Sequence, residues 1–204
     1  MTYSFVRNDE NSFSSISRVY EVYKGEELIT CLVIGIDSML DKYFITMLGD
    51  NMLSSKYGLD YDSISSIEFV AVLYDFFNNA IDFFTREDLV PDDTFYEKFV
   101  PLKRYNFVFY SSNIEPYYNE DLGEYDGVYS PEDNHTNFLL DIGIITPIWM
   151  EDPYKEEYVP YTTDNALDIE DEFGLYSGIK FDLLEKEYQN AKEILENNEN
   201  LSCI

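Results

Sequence analysis

The chain has 204 residues, of which 45% are hydrophobic and 17% aromatic, and its formal net charge is −28. A chain of this length buries enough surface to fold without disulfides or metals. The aromatic content excludes general disorder, because disordered acidic chains lack aromatic residues. The chain has only 13 basic residues but 41 acidic ones. This disfavours direct binding to nucleic acid or to an anionic membrane, because both kinds of binding need clustered Lys and Arg.

The first part of the chain predicts strands followed by one helix. Residues 2–7 predict a short strand. Residues 18–24 and 27–36 predict a hairpin, because β-branched and aromatic residues flank a turn at Gly25. A helix ending at Gly49 is then predicted from apolar residues at helical spacing, namely Leu40, Tyr43, Phe44, Met47 and Leu48.

The strongest helical pattern covers residues 63–85, with Asp62 as the predicted N-cap. Apolar residues occupy most of the circumference, which is typical of a buried helix. The remaining polar stripe is expected to face solvent, and it consists of Glu68, Asp75, Asn78, Asn79 and Asp82.

The second part of the chain continues the mixed pattern. Residues 104–110 and 137–145 predict strands, and residues 163–173 predict a short helix. A C-terminal amphipathic helix is predicted over 183–196, with Asp182 and Glu185 as its capping box and a loose tail after it. The predicted fold class is therefore α+β: a single domain over residues 1–204 with a mostly antiparallel sheet, a long buried central helix and a C-terminal amphipathic helix.

Motifs of enzyme chemistry are missing from the sequence. The one histidine, His135, lies beside Asp133 and Asn134 and is interpreted as a loop residue without a catalytic or zinc-binding partner. Cys31 and Cys203 are too isolated to indicate a disulfide framework. No signal-peptide pattern or membrane-spanning run is present, so a cytoplasmic location is expected. We predict a protein that is not an enzyme and uses no cofactor.

One segment resembles a calcium loop in part. If Asp126 and Gly127 take the fifth and sixth positions, Glu124 takes the third, but Leu122 stands where the first ligand belongs. A turn through Asp126 and Gly127 is the preferred interpretation. A carboxylate-using metal-binding module or hydrolase remains an alternative, although among 41 acids some suitable pair is always found.

The negative charge is concentrated in residues 111–175, which hold 17 acids and a single base, Lys155. These acids alternate with tyrosines and turn-forming residues. Carboxylates steer a basic partner, and tyrosines supply contact area at interface centres. Acids in the last turn of the helix predicted over 163–173 would also oppose its dipole. The predicted partner-binding residues are Glu120, Asp121, Glu124, Asp126, Glu132, Asp133, Glu151, Asp152, Glu156, Glu157, Asp168, Glu170, Asp171, Glu172, Tyr117, Tyr118, Tyr154 and Tyr158.

These features predict a non-enzymatic inhibitor that imitates the phosphates of DNA or RNA and binds a basic protein, namely a nuclease or another nucleic-acid-binding effector. The composition is similar to that of acidic phage anti-restriction and anti-CRISPR proteins, although no family motif carries the likeness. The alternative is an immunity protein that neutralises a cognate basic nuclease toxin by the same electrostatics. Simple solubility and a homodimer through the apolar helix also stay open, whereas adaptation to a high-salt habitat fits poorly with the high aromatic content.

Overall fold

In a computed structural model of the chain, the residues described are 2–8, 17–37, 42–49, 52–89, 101–111, 114–119, 124–129, 134–147, 149–152, 157–160 and 175–202. The chain forms two compact units, one of residues 1–107 with 181–204 and one of residues 108–180. The predicted α+β class is confirmed, with mostly antiparallel strands. The prediction that the whole chain is a single domain stays a prediction.

The first unit contains four antiparallel strands that neighbour one another in chain order. Their bounds are Tyr3–Asn8 (β1), Ser17–Lys24 (β2), Glu27–Asp37 (β3) and Lys42–Met47 (β4). The predicted first strand and the predicted β2–β3 hairpin are thus confirmed. Gly25 adopts a φ of 65° in the turn between β2 and β3, a left-handed conformation that glycine tolerates without steric cost.

Residues 42–47 form a strand, so the helix predicted over 40–48 is wrong. The spacing of Tyr43, Phe44 and Met47 fits a helix, but the buried side chains alternate as Tyr43, Ile45 and Met47. This period of two is that of a strand. Pairing with the buried strand β3, in which Ile34 lies opposite Ile45, overrides the local helical pattern.

The central helix consists of an α-helix over Ser66–Asp75, followed by a wider π-helical turn over Phe76–Ala80 and a 3-10 turn over Ile81–Phe83. Its burial is confirmed, since Phe69 through Leu73, Phe76 and Phe77 are all buried. The ring of Phe76 packs within 6 Å of four other rings, those of Phe5, Phe77, Phe84 and Phe107. The helix therefore lies at the centre of the aromatic core of its unit.

Two details of the central helix differ from the sequence prediction. Ser65, not Asp62, is the N-cap, because the Ser65 hydroxyl accepts a hydrogen bond from the Glu68 backbone amide at 3.2 Å. Asp62 instead lies in a 3-10 turn over Tyr61–Ser63. The polar stripe is also not wholly solvated, since Asp75 is only 3% exposed.

The C-terminal helix runs over Phe181–Ser202 and packs against the central helix. The predicted helix is confirmed, but it starts earlier and extends through the tail that was expected to be loose. Asp182 is in its first turn rather than at the N-cap position, so the predicted capping box is wrong. Tyr74 and Tyr188 stack between the two helices with ring centroids 3.8 Å apart.

The second unit contains a set of three strands and two separate hairpins among its described residues. In the set, β11 (Leu175–Ile179) lies antiparallel between β5 (Phe107–Ser111) and β8 (Ile145–Pro147). The hairpins pair β6 (Ile114–Asn119) with β7 (Glu124–Tyr129) and β9 (Trp149–Asp152) with β10 (Glu157–Pro160). The strand predicted over 104–110 therefore begins only at Phe107, after a 3-10 turn over Arg104–Asn106.

Residues 134–141 form a helix, so the strand predicted over 137–145 is wrong apart from its last residue. Gly143, with a φ of 73°, follows the end of this helix, as is common at helix C-termini. His135 is buried in the helix, which corrects its interpretation as a loop residue. Among the described residues, further short helical turns cover Leu53–Tyr57 and Arg86–Leu89. Within the described ranges, no helix is both long enough and apolar enough to cross a membrane.

Candidate partner-binding surface

Eight of the predicted partner-binding residues lie on the two hairpins of the second unit. Tyr117, Tyr118, Glu124 and Asp126 are on β6 and β7, and Glu151, Asp152, Glu157 and Tyr158 are on β9 and β10. The other predicted residues lie outside the described ranges, and they are Glu120, Asp121, Glu132, Asp133, Tyr154, Glu156, Asp168, Glu170, Asp171 and Glu172. The short helix predicted over 163–173 lies outside them as well.

The β6–β7 hairpin brings aromatic and acidic residues together in its register. Tyr117 lies opposite Asp126, and Tyr118 lies opposite Tyr125. Tyrosine and valine favour strands, which explains why this acidic segment is extended. Asp126 and Gly127 are therefore part of a strand, and the turn predicted at these two residues is wrong.

The β9–β10 hairpin places acids directly opposite each other. Asp152 is the register partner of Glu157, and Glu151 is the partner of Tyr158. Like charges at directly opposite positions of an antiparallel pair destabilise it. From this register we expect the negative charge to reduce the stability of the hairpin.

The two hairpins are neighbours within the second unit, because Cα atoms of β7 and β10 approach within 8 Å. Acids that are more than twenty residues apart in sequence, such as Asp126 and Glu157, thus lie on strands that approach each other. Eight residues of these hairpins are predicted to bind a partner, and together we call them the acidic hairpin surface. They are Tyr117, Tyr118, Glu124, Asp126, Glu151, Asp152, Glu157 and Tyr158. Residues 108–180 as a whole carry 17 acids and only two bases, Lys155 and Lys180.

The one cysteine among the described residues is unsuited to nucleophilic chemistry. Cys31 is buried, and burial raises the pKa of its thiol to about 12. A thiol with so high a pKa stays protonated at neutral pH and is a poor nucleophile. Among the described residues, no cluster of three or more His, Cys, Asp and Glu side chains is arranged to hold a metal ion.

Several bases of the first unit are neutralised by neighbouring acids. Arg7 lies 3.2 Å from Asp88, Lys24 lies 3.1 Å from Glu68, and Lys192 lies 3.9 Å from Glu196 on the same helix. The Glu68 carboxylate also accepts a hydrogen bond from the Tyr3 hydroxyl at 3.3 Å. This arrangement joins β1 and β2 to the central helix.

One charged cluster of the first unit was missed by the sequence reasoning. We name Lys42, Lys103, Arg104 and Tyr105 the Tyr105 cluster. The Lys42 ammonium donates to the Tyr105 backbone carbonyl at 3.5 Å, and the Lys103 ammonium lies 5.7 Å from the centre of the Tyr105 ring. The adjacent bases at 103 and 104 were a visible signal, whereas the addition of Lys42 depends on the fold.

Comparison of the chain with protein-family models, with curated proteins and with solved structures finds no match.

Proposed function

We propose that this chain is a non-enzymatic inhibitor that binds the basic, nucleic-acid-binding surface of another protein through its acidic hairpin surface. The carboxylates take the place of nucleic-acid phosphates, whose charges lie along a dense track. The partner is a nuclease or another nucleic-acid-binding effector. We place this activity in the cytoplasm.

The observation that carries the proposal is the register of the β9–β10 hairpin. Asp152 and Glu157 are directly opposite each other in a unit that has 17 acids and two bases. Like charges at opposite positions conflict with local stability, and positions that conflict with it are expected to be functional. A surface of Lys and Arg residues supplies the compensation when it binds.

Net charge alone does not account for this arrangement. Solubility of a small domain requires a net charge of a magnitude of about 2–8, far less than the −28 of this chain. Solubility is also served equally well by acids spread over the whole surface. Concentrated charge instead steers a partner of opposite charge and raises its association rate.

The tyrosines of the same strands support binding rather than simple repulsion. Tyr158 is the register partner of Glu151, and Tyr117 is the partner of Asp126. Tyrosine is enriched among the residues that contribute most to protein interfaces. Acids next to tyrosines thus combine long-range attraction with contact area.

The first test is a pull-down from lysate of the native host at low salt, repeated at high salt, with mass spectrometry of the eluted proteins. We expect one basic nucleic-acid-binding protein to be captured and to be lost as the salt concentration rises, since screening weakens exposed charge interactions. The identity of the captured protein also distinguishes the two interpretations of the chain. A host effector would indicate an inhibitor, and a cognate toxin would indicate an immunity protein.

A matched pair of triple variants tests whether position matters. The variant Glu151→Gln, Asp152→Asn, Glu157→Gln removes three charges from the acidic hairpin surface. The control Glu26→Gln, Asp82→Asn, Glu193→Gln removes three charges from exposed positions of the first unit. We expect the first variant to lose capture and the control to keep it. Equal capture by the two variants, or no capture of a basic protein by the native chain, contradicts the proposal.

A further inference from the structure

The Tyr105 cluster is a positively charged site on a protein that is otherwise strongly acidic. Its members come from β4 and from the 3-10 turn that precedes β5. Tyr105 is 59% exposed, one of the most exposed large hydrophobic side chains described. Lys103 is exposed and Arg104 half-buried. The cluster therefore presents an exposed aromatic ring with the Lys103 ammonium beside it, and two further cations close to it in the chain or in the fold, at the surface of the first unit.

The cations of this cluster have no acidic partner among the residues that the structure describes. Arg7, Lys24 and Lys192 each lie within 4 Å of a carboxylate. Lys42 has Asp37 as its register partner, yet its ammonium donates to the Tyr105 carbonyl. The chain has 41 acids and 13 bases, yet none of the three bases of the cluster has a described ion pair.

Arg104 is held in place by contacts that do not neutralise it. One guanidinium nitrogen donates to the Asn78 side-chain oxygen at 3.1 Å, and the guanidinium lies 5.5 Å from the centre of the Phe181 ring. Both partners are uncharged, so the positive charge is retained. A charged group that is already ordered loses less conformational entropy when it binds a ligand.

We propose that the Tyr105 cluster binds an acidic segment of a protein partner. The cations supply charge complementarity to carboxylates, and Arg104 offers a planar donor group that suits a carboxylate. Tyr105 supplies the apolar contact, and Tyr and Arg are enriched at the energetic centres of interfaces. This site goes beyond the proposed binding of a basic surface by the acidic hairpin surface and does not depend on it.

A protein segment fits the cluster better than a nucleic acid does. A nucleic acid carries phosphates continuously along its length. The phosphates that extend beyond the three cations are therefore repelled by a protein whose net charge is −28. An acidic protein segment presents a few carboxylates between uncharged residues. At physiological salt the Debye length is about 8 Å, so such a segment experiences mainly the local positive charge.

The experiment measures binding of a synthetic peptide of alternating glutamate and serine to the isotope-labelled full chain at physiological ionic strength, by nuclear magnetic resonance. We expect the backbone amide signals of Lys103, Arg104 and Tyr105 to shift on titration. Lys103→Glu should weaken binding about tenfold, because it replaces an attraction by a repulsion. Tyr105→Ala should also weaken it, without any change in charge.

Lys192→Glu is the matched control, because it makes the same charge change at a residue of the C-terminal helix whose side chain is 43% exposed. It should leave peptide binding nearly unchanged. Equal weakening by Lys103→Glu and Lys192→Glu would show that only net charge matters and would overturn the proposal. Absence of any shift at 103–105, or shifts there with oligothymidylate but not with the peptide, would overturn it too.

Discussion

Asp75 shows how a single residue departs from the pattern expected of its neighbours. The sequence places it on the polar stripe of the central helix, but the carboxylate is buried and accepts hydrogen bonds from the Tyr3 backbone amide at 3.1 Å and from the Asn79 side chain at 3.0 Å. The contact with Tyr3 spans 72 positions of the chain. No local pattern predicts a contact of that range, because it depends on where β1 lies against the helix.

Asp75 should make stability depend on pH. Burial raises the pKa of Asp75 above its ordinary value of 3.8, and this effect outweighs the opposing hydrogen bonds from Tyr3 and Asn79. A carboxyl whose pKa is raised by folding favours the folded state fully below about pH 4, and its contribution is lost as the pH rises through the folded-state pKa. We therefore expect the free energy of unfolding to decline over that range.

The variant Asp75→Asn tests this expectation through urea unfolding followed by circular dichroism at a series of pH values. The free energy of unfolding of the variant should decline less above pH 4 than that of the native chain. The slope with pH is the readout, because the substitution also changes the hydrogen bonds with Tyr3 and Asn79. Asp82→Asn, at an exposed position, controls for the loss of one charge. Identical slopes for Asp75→Asn and the native chain would refute the role of Asp75.

At the scale of elements, a helix or strand was predictable where its local sequence pattern agrees with its tertiary packing. The β2–β3 hairpin was predicted because strand-forming residues flank Gly25, and the C-terminal helix because Leu184, Tyr188, Ala191 and Leu195 recur at helical spacing. The segment over 42–47 was mistaken for a helix because its apolar residues fit both periods. Pairing with β3 makes the segment a strand, and the sequence of the segment alone does not reveal that pairing.

The packing of the C-terminal helix on the central helix should depend on one face of the C-terminal helix. Leu184 is 1% exposed, whereas Ile194 on the same helix is 42% exposed. Leu184→Ala should lower the free energy of unfolding by about 2–5 kcal/mol, because it leaves a cavity in the core. Ile194→Ala should change it far less, as is usual for surface substitutions. Chemical denaturation of both variants checks this, and similar losses would mean that the helix is not docked as described.

The acid pair of the β9–β10 hairpin should reduce stability. Glu157→Gln removes one of the two like charges that face each other in the register with Asp152. We expect the substitution to raise the free energy of unfolding by about 0.2–1 kcal/mol at low salt, and to raise it less at high salt because of screening. Thermal denaturation at the two salt concentrations measures the effect. A destabilised variant would contradict the register argument.

At the scale of the whole molecule, the sequence shows where the negative charge is concentrated but not how the acids are arranged. The excess of acids over 111–175 was visible from composition alone. The pairing of Asp152 with Glu157 and the proximity of β7 and β10 required the fold. The Tyr105 cluster was missed for the same reason, because Lys42 is distant from Lys103 in sequence and joins it only through the position of β4.

The central claim is that the acidic hairpin surface replaces nucleic acid on a basic partner. The most direct measurement is competition: the captured partner is loaded with a labelled oligonucleotide, and the chain is titrated in at several salt concentrations. We predict stoichiometric displacement of the oligonucleotide that weakens as salt rises and is lost in the variant Glu151→Gln, Asp152→Asn, Glu157→Gln. Simultaneous binding of the chain and the oligonucleotide, or displacement that ignores both salt and these substitutions, would contradict the claim.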